Sequence, residues 1–149
     1  MSVLSVENLR VSFQQDGKSA LAVRGVSFAV GKGETVALVG ESGSGKSVTA
    51  LSTVNLLGRN AHIEGSVTYN GQQMVGADEK ALRKVRGNDI SFIFQEPMTS
   101  LNPLHTLEKQ LTESIELHQG LLGLAAPARG VALRPRVGRR DPASLGWSY

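Results

Sequence analysis

An α/β fold built around a phosphate-binding loop is the architecture the sequence predicts, and three observations predict it. Residues 40–47 read Gly-Glu-Ser-Gly-Ser-Gly-Lys-Ser, a complete G-x-x-x-x-G-K-[ST] spacing. An apolar run, residues 35–39, stands directly before that loop, and an apolar pattern with helical spacing, residues 48–57, directly after it. Two segments of alternating hydrophobicity, residues 3–13 and 21–30, precede both and predict an N-terminal antiparallel β subdomain.

The loop calls for a nucleoside triphosphate. Gly40, Gly43 and Gly45, with the small Ser42 and Ser44 between them, let the backbone wrap closely around phosphate oxygens. Lys46 brings a mobile positive charge to the β and γ phosphates. Ser47 offers a hydroxyl to the octahedral shell of a phosphate-bound Mg²⁺. The competing reading is a chance match in a chain with 17 glycines among 149 residues, and the flanking strand and helix patterns weigh against it. In that helix Val48, Leu51 and Leu56 are expected on the inner face, and Gly58 is expected to stop it.

Composition narrows the class. No apolar run approaches the roughly 20 residues that span a bilayer, and the Met-Ser-Val-Leu-Ser start carries neither block of a secretory signal, so a soluble cytosolic chain is expected. With no cysteine, disulfides, thiolate catalysis and cysteine metal sites are excluded. Residues 1–120 hold 11 Lys and Arg against 12 Asp and Glu, whereas residues 121–149 hold 5 against 1. The five tail arginines, Arg129, Arg134, Arg136, Arg139 and Arg140, could meet nucleic acid or an anionic membrane. A short, aromatic-poor basic stretch is more commonly just solvated, and no nucleic-acid partner is expected.

Along the chain, residues 14–18 separate the two leading β segments, and residues 31–34 turn into the strand before the loop. Residues 63–69 form a further β segment that runs into Asn70-Gly71, a tight-turn dipeptide. Asp78 is placed to cap a short helix through Ala81, Leu82 and Val85 that ends near Gly87, with Lys80, Arg83, Lys84 and Arg86 as its solvated face. Residues 90–94 read as a buried strand delivering Gln95 at its carboxyl end, where ligands sit in open α/β sheets. Leu107, Leu111 and Ile115 recur every four residues and predict an amphipathic helix over residues 106–118. His62, His105 and His118 lie far apart, without metal spacing, and are assigned to surface or packing.

At this point the chain resembles the ATP-binding subunits of ABC transporters, in the group that powers import of dipeptides, oligopeptides and microcin C-like peptides. Residues 40–51 carry the resemblance together with the stretch Phe-Ile-Phe-Gln-Glu-Pro-Met-Thr-Ser-Leu-Asn-Pro-Leu at residues 92–104, which is similar to that group's Q-loop segment. Residues 105–111 extend it toward the microcin C type, whose subunits often hold two such domains in tandem. By this resemblance Phe13 stacks on adenine; Gly40, Ser42, Gly43, Ser44, Gly45, Lys46 and Ser47 surround the phosphates; Ser47 and Gln95 serve Mg²⁺, Gln95 being the Q-loop glutamine near the catalytic water. Taken alone, Phe13 reads better as a core aromatic on a strand and Gln95 as an ordinary strand-end polar residue; their placement relative to the phosphate loop is what favours the site roles. The resemblance further implies transmembrane permease subunits as partners, a second ATP-binding domain in a dimer or tandem, and a cytoplasmic position on the inner face of the membrane through those permeases. The helix over residues 106–118 would belong to the subdomain that meets them.

The similarity covers residues 1–120, expected to form the amino-terminal part of an ABC ATP-binding domain; residues 121–149 are expected to be a divergent, poorly ordered basic tail. There Pro127 and Pro135 fall where the family has a helix, at about 3 kcal/mol each if internal to one. Hydrolysis in the family also requires an LSGGQ-type signature, an acidic Walker B strand with its glutamate, and a switch histidine, none of which occurs in these residues. A truncated phosphate-loop NTPase is therefore expected, with bare apolar strand edges, marginal stability and near-background turnover. Three readings stay open: an ATPase subunit of a peptide importer, a nucleotide-binding module without turnover, and a nonfunctional remnant. A GTPase or kinase is disfavoured, since no N-K-x-D guanine-reading motif is present.

Overall fold

A computed structural model describes residues 1–95 and 101–120 of the chain. It divides into two compact units, Met1–Ile90 and Ser91–Tyr149. The sequence-based boundary at residue 120 and the expectations for residues 121–149 lie outside the described residues.

The first unit is organised by a four-stranded antiparallel sheet in the order β2-β1-β3-β4. Strands β1 (Ser2–Gln15) and β2 (Lys18–Gly31) form the expected hairpin, but they run closer together than the reading allowed and leave only Asp16 and Gly17 in the turn. Both turn residues have positive φ, 50° and 74°, which is the sign a two-residue hairpin turn needs to follow the twist of its strands. Strand β3 (Ala61–Tyr69) pairs with the other side of β1, and Asn70-Gly71 turns it into the two-residue β4 (Gln72–Gln73), again at positive φ. Val6, Leu9 and Val11 of β1, Val23 of β2 and Val67 of β3 lie in the core, the β1 irregularity between Val6 and Leu9 shifting the period-two alternation so that both face inward, with Val54, Met74, Leu82 and Val85 closing it.

Helix α1 (Lys46–Ser52) follows the phosphate loop and is shorter than expected. Asn55 adopts a left-handed φ of 54°, which ends the helical path before Gly58. Its inward face also differs. Thr49, Ser52, Thr53 and Val54 are buried, while Val48 and Leu51 are half-buried and Leu56 is exposed. Hydroxyl groups can take the inner positions because each bonds to its own helix: Thr49 Oγ1 to Gly45 O at 2.8 Å, Ser52 Oγ to Thr49 O at 2.7 Å, and Thr53 Oγ1 to Ala50 O at 2.6 Å.

Helix α2 (Glu79–Val85) starts as read, with Asp78 Oδ1 accepting from the Ala81 amide at 2.7 Å. Arg86, assigned to the solvated face, is instead drawn inward: its side chain is 19% exposed and hydrogen-bonds backbone carbonyls 31 and 32 residues away. Residues 35–39 do not form the buried strand expected before the loop. Val36, Leu38 and Val39 are exposed, Val39 to 90%. A strand exists only through a hydrogen-bonded neighbour, and among the described residues no strand pairs with this run. The expected strand at residues 90–94 fails for the same reason: a single bridge joins Arg86 and Ile90, and Ile93 is 99% exposed.

In the second unit the described element is α3 (Leu107–Gln119), capped by the Thr106 hydroxyl and ended by Gly120 in the left-handed region. Ile115 is buried and Leu107 and Leu111 half-buried, as the four-residue recurrence predicts. Phe92 and Phe94 stack at 6.1 Å in the segment before it.

Candidate functional site

The phosphate loop is built by local hydrogen bonding and seated by one close contact. The Ser44 amide donates to Glu41 O at 3.1 Å, closing a turn over Ser42 and Gly43. Gly45 caps α1 in the left-handed region, φ 88° and ψ 11°, and its carbonyl accepts from the Thr49 amide at 2.8 Å. Gly45 also lies against β2. A Cβ there would stand 2.8 Å from the Ala22 carbonyl oxygen and 3.4 Å from Val23 Cγ2, so a side chain has no room. Ala22 reaches this position because the β1–β2 register steps from Val11↔Val23 to Ser12↔Leu21, which makes it the extra residue of a bulge.

Lys46 turns back over the loop it follows. Its ammonium donates to Gly40 O at 2.5 Å, Glu41 O at 2.6 Å and Ser44 Oγ at 3.3 Å. A positive charge is thereby fixed at the loop beside the first-turn amides of α1, which by helix geometry have no acceptor within the helix. The Ser47 hydroxyl is exposed on the next residue, and Ser42 and Gly43 are exposed on the loop rim. A Cβ on Gly43 would meet nothing within 4 Å, so the rim is open above the charge. Together these groups suit an anion: a cation, backbone donors and a neutral hydroxyl meet there, and among the described residues no carboxylate is hydrogen-bonded to the ammonium.

Phe13 is half-buried near the end of β1, where its Cα partners are Ala20 and Ala61. Small neighbours on both strands leave its ring partly uncovered, and it lies two residues along the strand from Val11, the partner of Val23. Gln95 is exposed at a bend in the second unit. The structure thus brings Gly40, Ser44, Gly45 and Lys46 into direct contact, keeps Ser42, Gly43 and Ser47 on the same loop, and puts Phe13 in the same unit. Gln95 belongs to the other unit. Sequence reading missed the Ala22 bulge and Arg86, and neither carries a local signal. The His62 ring lies 3.3 Å from the Glu64 carboxylate on the exposed surface, and among the described residues no three His, Asp or Glu side chains cluster as a metal site.

The sequence profile described as ABC transporter matches residues 23–143. The chain belongs to the ABC transporter family. This ABC chain is 54% identical over 142 residues to the "Peptidoglycan transport ATP-binding protein YejF" of Agrobacterium fabrum, a match covering 94% of the chain and 26% of that protein. It is 44% identical over 154 residues to a "Putative peptide import ATP-binding protein" of Brucella abortus, covering 99% of the chain and 46% of the relative. The "Oligopeptide transport ATP-binding protein OppD" of Mycobacterium tuberculosis is 44% identical over 141 residues, 94% of the chain and 23% of the relative. The chain therefore spans about a quarter to a half of the length of these relatives.

Among solved structures, the ABC chain resembles the ATP-binding cassette MJ0796, described as a dimer in a post-hydrolysis state bound to ADP and Pi. The TM-score is 0.69 at 21% identity, over 93% of this chain and 58% of that one, which shows a shared fold. No helix among the described residues is long and apolar enough to cross a membrane.

Proposed function

We propose that the chain is the ATP-binding component of an ABC transporter that powers peptide import, of the dipeptide, oligopeptide or microcin C-like kind. The observation that carries this reading is Lys46, held over its own loop by Gly40, Glu41 and Ser44 beside the open rim at Gly43. The names of the relatives, peptidoglycan transport, peptide import and oligopeptide transport, support the substrate class.

In this reading Gly40, Ser42, Gly43, Ser44, Gly45 and Lys46 hold the triphosphate, Phe13 meets the adenine, and Ser47 and Gln95 serve Mg²⁺. The donor set fits. Lys46 is a point charge already at the loop, and the Ser47 hydroxyl is free on the surface to serve a hard cation. ATP, when bound, supplies the phosphoanhydride bond whose cleavage drives transport. Gln95 has an amide that can both accept from water and donate to an oxygen anion, the chemistry expected of a residue that orients water. Permease subunits are the expected partners, with a second ATP-binding domain opposite this one, and the complex would sit on the cytoplasmic face of the inner membrane.

For the 149 residues as they stand, a nucleotide-binding module without turnover is the second reading, favoured by the absence of an LSGGQ-type segment and a Walker B glutamate from the sequence. Calorimetric titration of MgATP into the chain tests both. One-to-one binding that is lost in Lys46→Ala, with no phosphate release above background, is the expected result. No binding by a folded chain would overturn the nucleotide site, and phosphate release abolished by Lys46→Ala would overturn the absence of turnover.

A further inference from the structure

Arg86 is the inward-drawn cation of the first unit that the nucleotide reading does not use. Its Nε donates to Val54 O at 2.8 Å, one Nη to Asn55 O at 2.7 Å, and the other to Glu79 Oε1 at 2.8 Å. Val54 and Asn55 lie in the turn that follows Ser52, the last residue of α1: the Asn55 amide bonds Ser52 O, and Asn55 itself turns left-handed. The last carbonyls of α1 are already bonded by this turn, Ala50 O by the Thr53 amide, Leu51 O by Leu56 and Ser52 O by Asn55, and the guanidinium holds the turn itself, with its positive charge just past the negative end of the helix dipole. The Glu79 carboxylate, on the first residue of α2, fixes the fork from the other side.

We propose that Arg86 is a positioning residue for phosphate binding, clamping the trailing end of α1 to α2 so that the loop at its leading end is held in shape. The inference rests on the nucleotide reading above for its functional consequence, but not for its structural one. A seven-residue helix is too short to persist through its own hydrogen bonds, so its position depends on what grips its two ends. Gly45 against Ala22 grips one end, and Arg86 on Val54 and Asn55 holds the turn that leaves the other. A lysine cannot replace this arginine, because three acceptors in a fork require a planar set of donors rather than a point charge.

The test is amide hydrogen exchange of the intact chain, read by peptide, together with MgATP titration, for Arg86→Lys and Glu79→Gln. Arg86→Lys should speed exchange at least fivefold across residues 40–55, leave β1, β2 and β3 at their original rates, and weaken MgATP about tenfold. Glu79→Gln keeps an acceptor oxygen and should shift both readouts by less than threefold. Uniformly faster exchange over residues 1–90 would show a merely structural role and overturn the proposal; so would unchanged exchange at residues 40–47. If the unaltered chain binds no MgATP, the nucleotide reading fails, and the exchange map alone still decides for or against the clamp.

Discussion

Replacing Gly45 by alanine separates the shape of the phosphate loop from its charge, since Lys46 and every hydrogen-bonding group are retained. Two terms oppose the new methyl. Holding a non-glycine residue at φ 88° costs about 1–2 kcal/mol. The Cβ would also stand 2.8 Å from the Ala22 carbonyl oxygen, on a strand whose backbone is fixed by pairing with β1, which adds about 1–3 kcal/mol of overpacking. Gly43→Ala is the internal control. Gly43 has φ 77° but open space where its Cβ would go, so it carries the first term alone. The entropic gain of replacing glycine in the unfolded chain is common to both and cancels in the comparison. The thermal midpoint of Gly45→Ala should therefore fall below that of Gly43→Ala by about 4 °C or more, at roughly 4–8 °C per kcal/mol for a unit of this size. MgATP affinity should follow the same order, with a further loss of about fivefold or more for each 1 kcal/mol of strain that reaches the loop. Differential scanning fluorimetry and calorimetry read the two quantities. Equal midpoints for the two variants would refute the claim that the Ala22 contact seats the loop.

Gly65→Ala should be harsher still: Gly65 has φ 99°, and a Cβ would meet the carbonyl oxygens of Asn8 and Glu7 at 2.5 and 2.7 Å, both backbone atoms at the β1 bulge, so loss of about 3 kcal/mol or more in chemical denaturation is expected. Asp78→Ala removes the cap bond to the Ala81 amide and should cost about 1 kcal/mol in the same assay, with Asp78→Ser recovering most of it. Ile93→Glu places a charge on a side chain that is 99% exposed beside the half-exposed Phe94, and light scattering should show a larger monomer fraction than for the unaltered chain. An unchanged fraction would mean that this apolar segment does not drive association.

The features legible in the sequence are those specified within a few residues. Asn70-Gly71 declares its turn by backbone preference alone, Asp78 its cap by a carboxylate three residues from the amide it accepts, and α3 its inner face by leucine and isoleucine every fourth position. The phosphate loop belongs to the same class, since its residues contact one another over six positions or fewer. What failed was set by partners remote in sequence. Residues 35–39 and 90–94 have strand-like composition, but pairing is a property of two segments and composition describes one. The inner face of α1 was misread because apolar spacing was taken as the only route to burial, whereas Thr49, Ser52 and Thr53 are buried with their hydroxyls satisfied by their own helix. Arg86 looked solvated because it follows three other basic residues of α2, and the carbonyls that draw it inward are more than 30 positions away.

These remote contacts bear directly on the site. Among the described residues no sheet strand supports the loop from before it, so the position of α1 is fixed by the Ala22 bulge beneath Gly45 and by Arg86 at its far end. The loop motif supplies the charge and the donors, and these two contacts supply their placement. The two contributions separate experimentally. Lys46→Ala removes the charge while the 2.8 Å approach at Ala22 persists, whereas Gly45→Ala and Arg86→Lys keep Lys46 and disturb only where the helix lies. If binding depended on the motif alone, the two placement variants would bind MgATP as the unaltered chain does. A graded loss across them, with hydrogen exchange rising only in the loop and α1, instead assigns affinity to the way an antiparallel hairpin and one arginine hold a seven-residue helix.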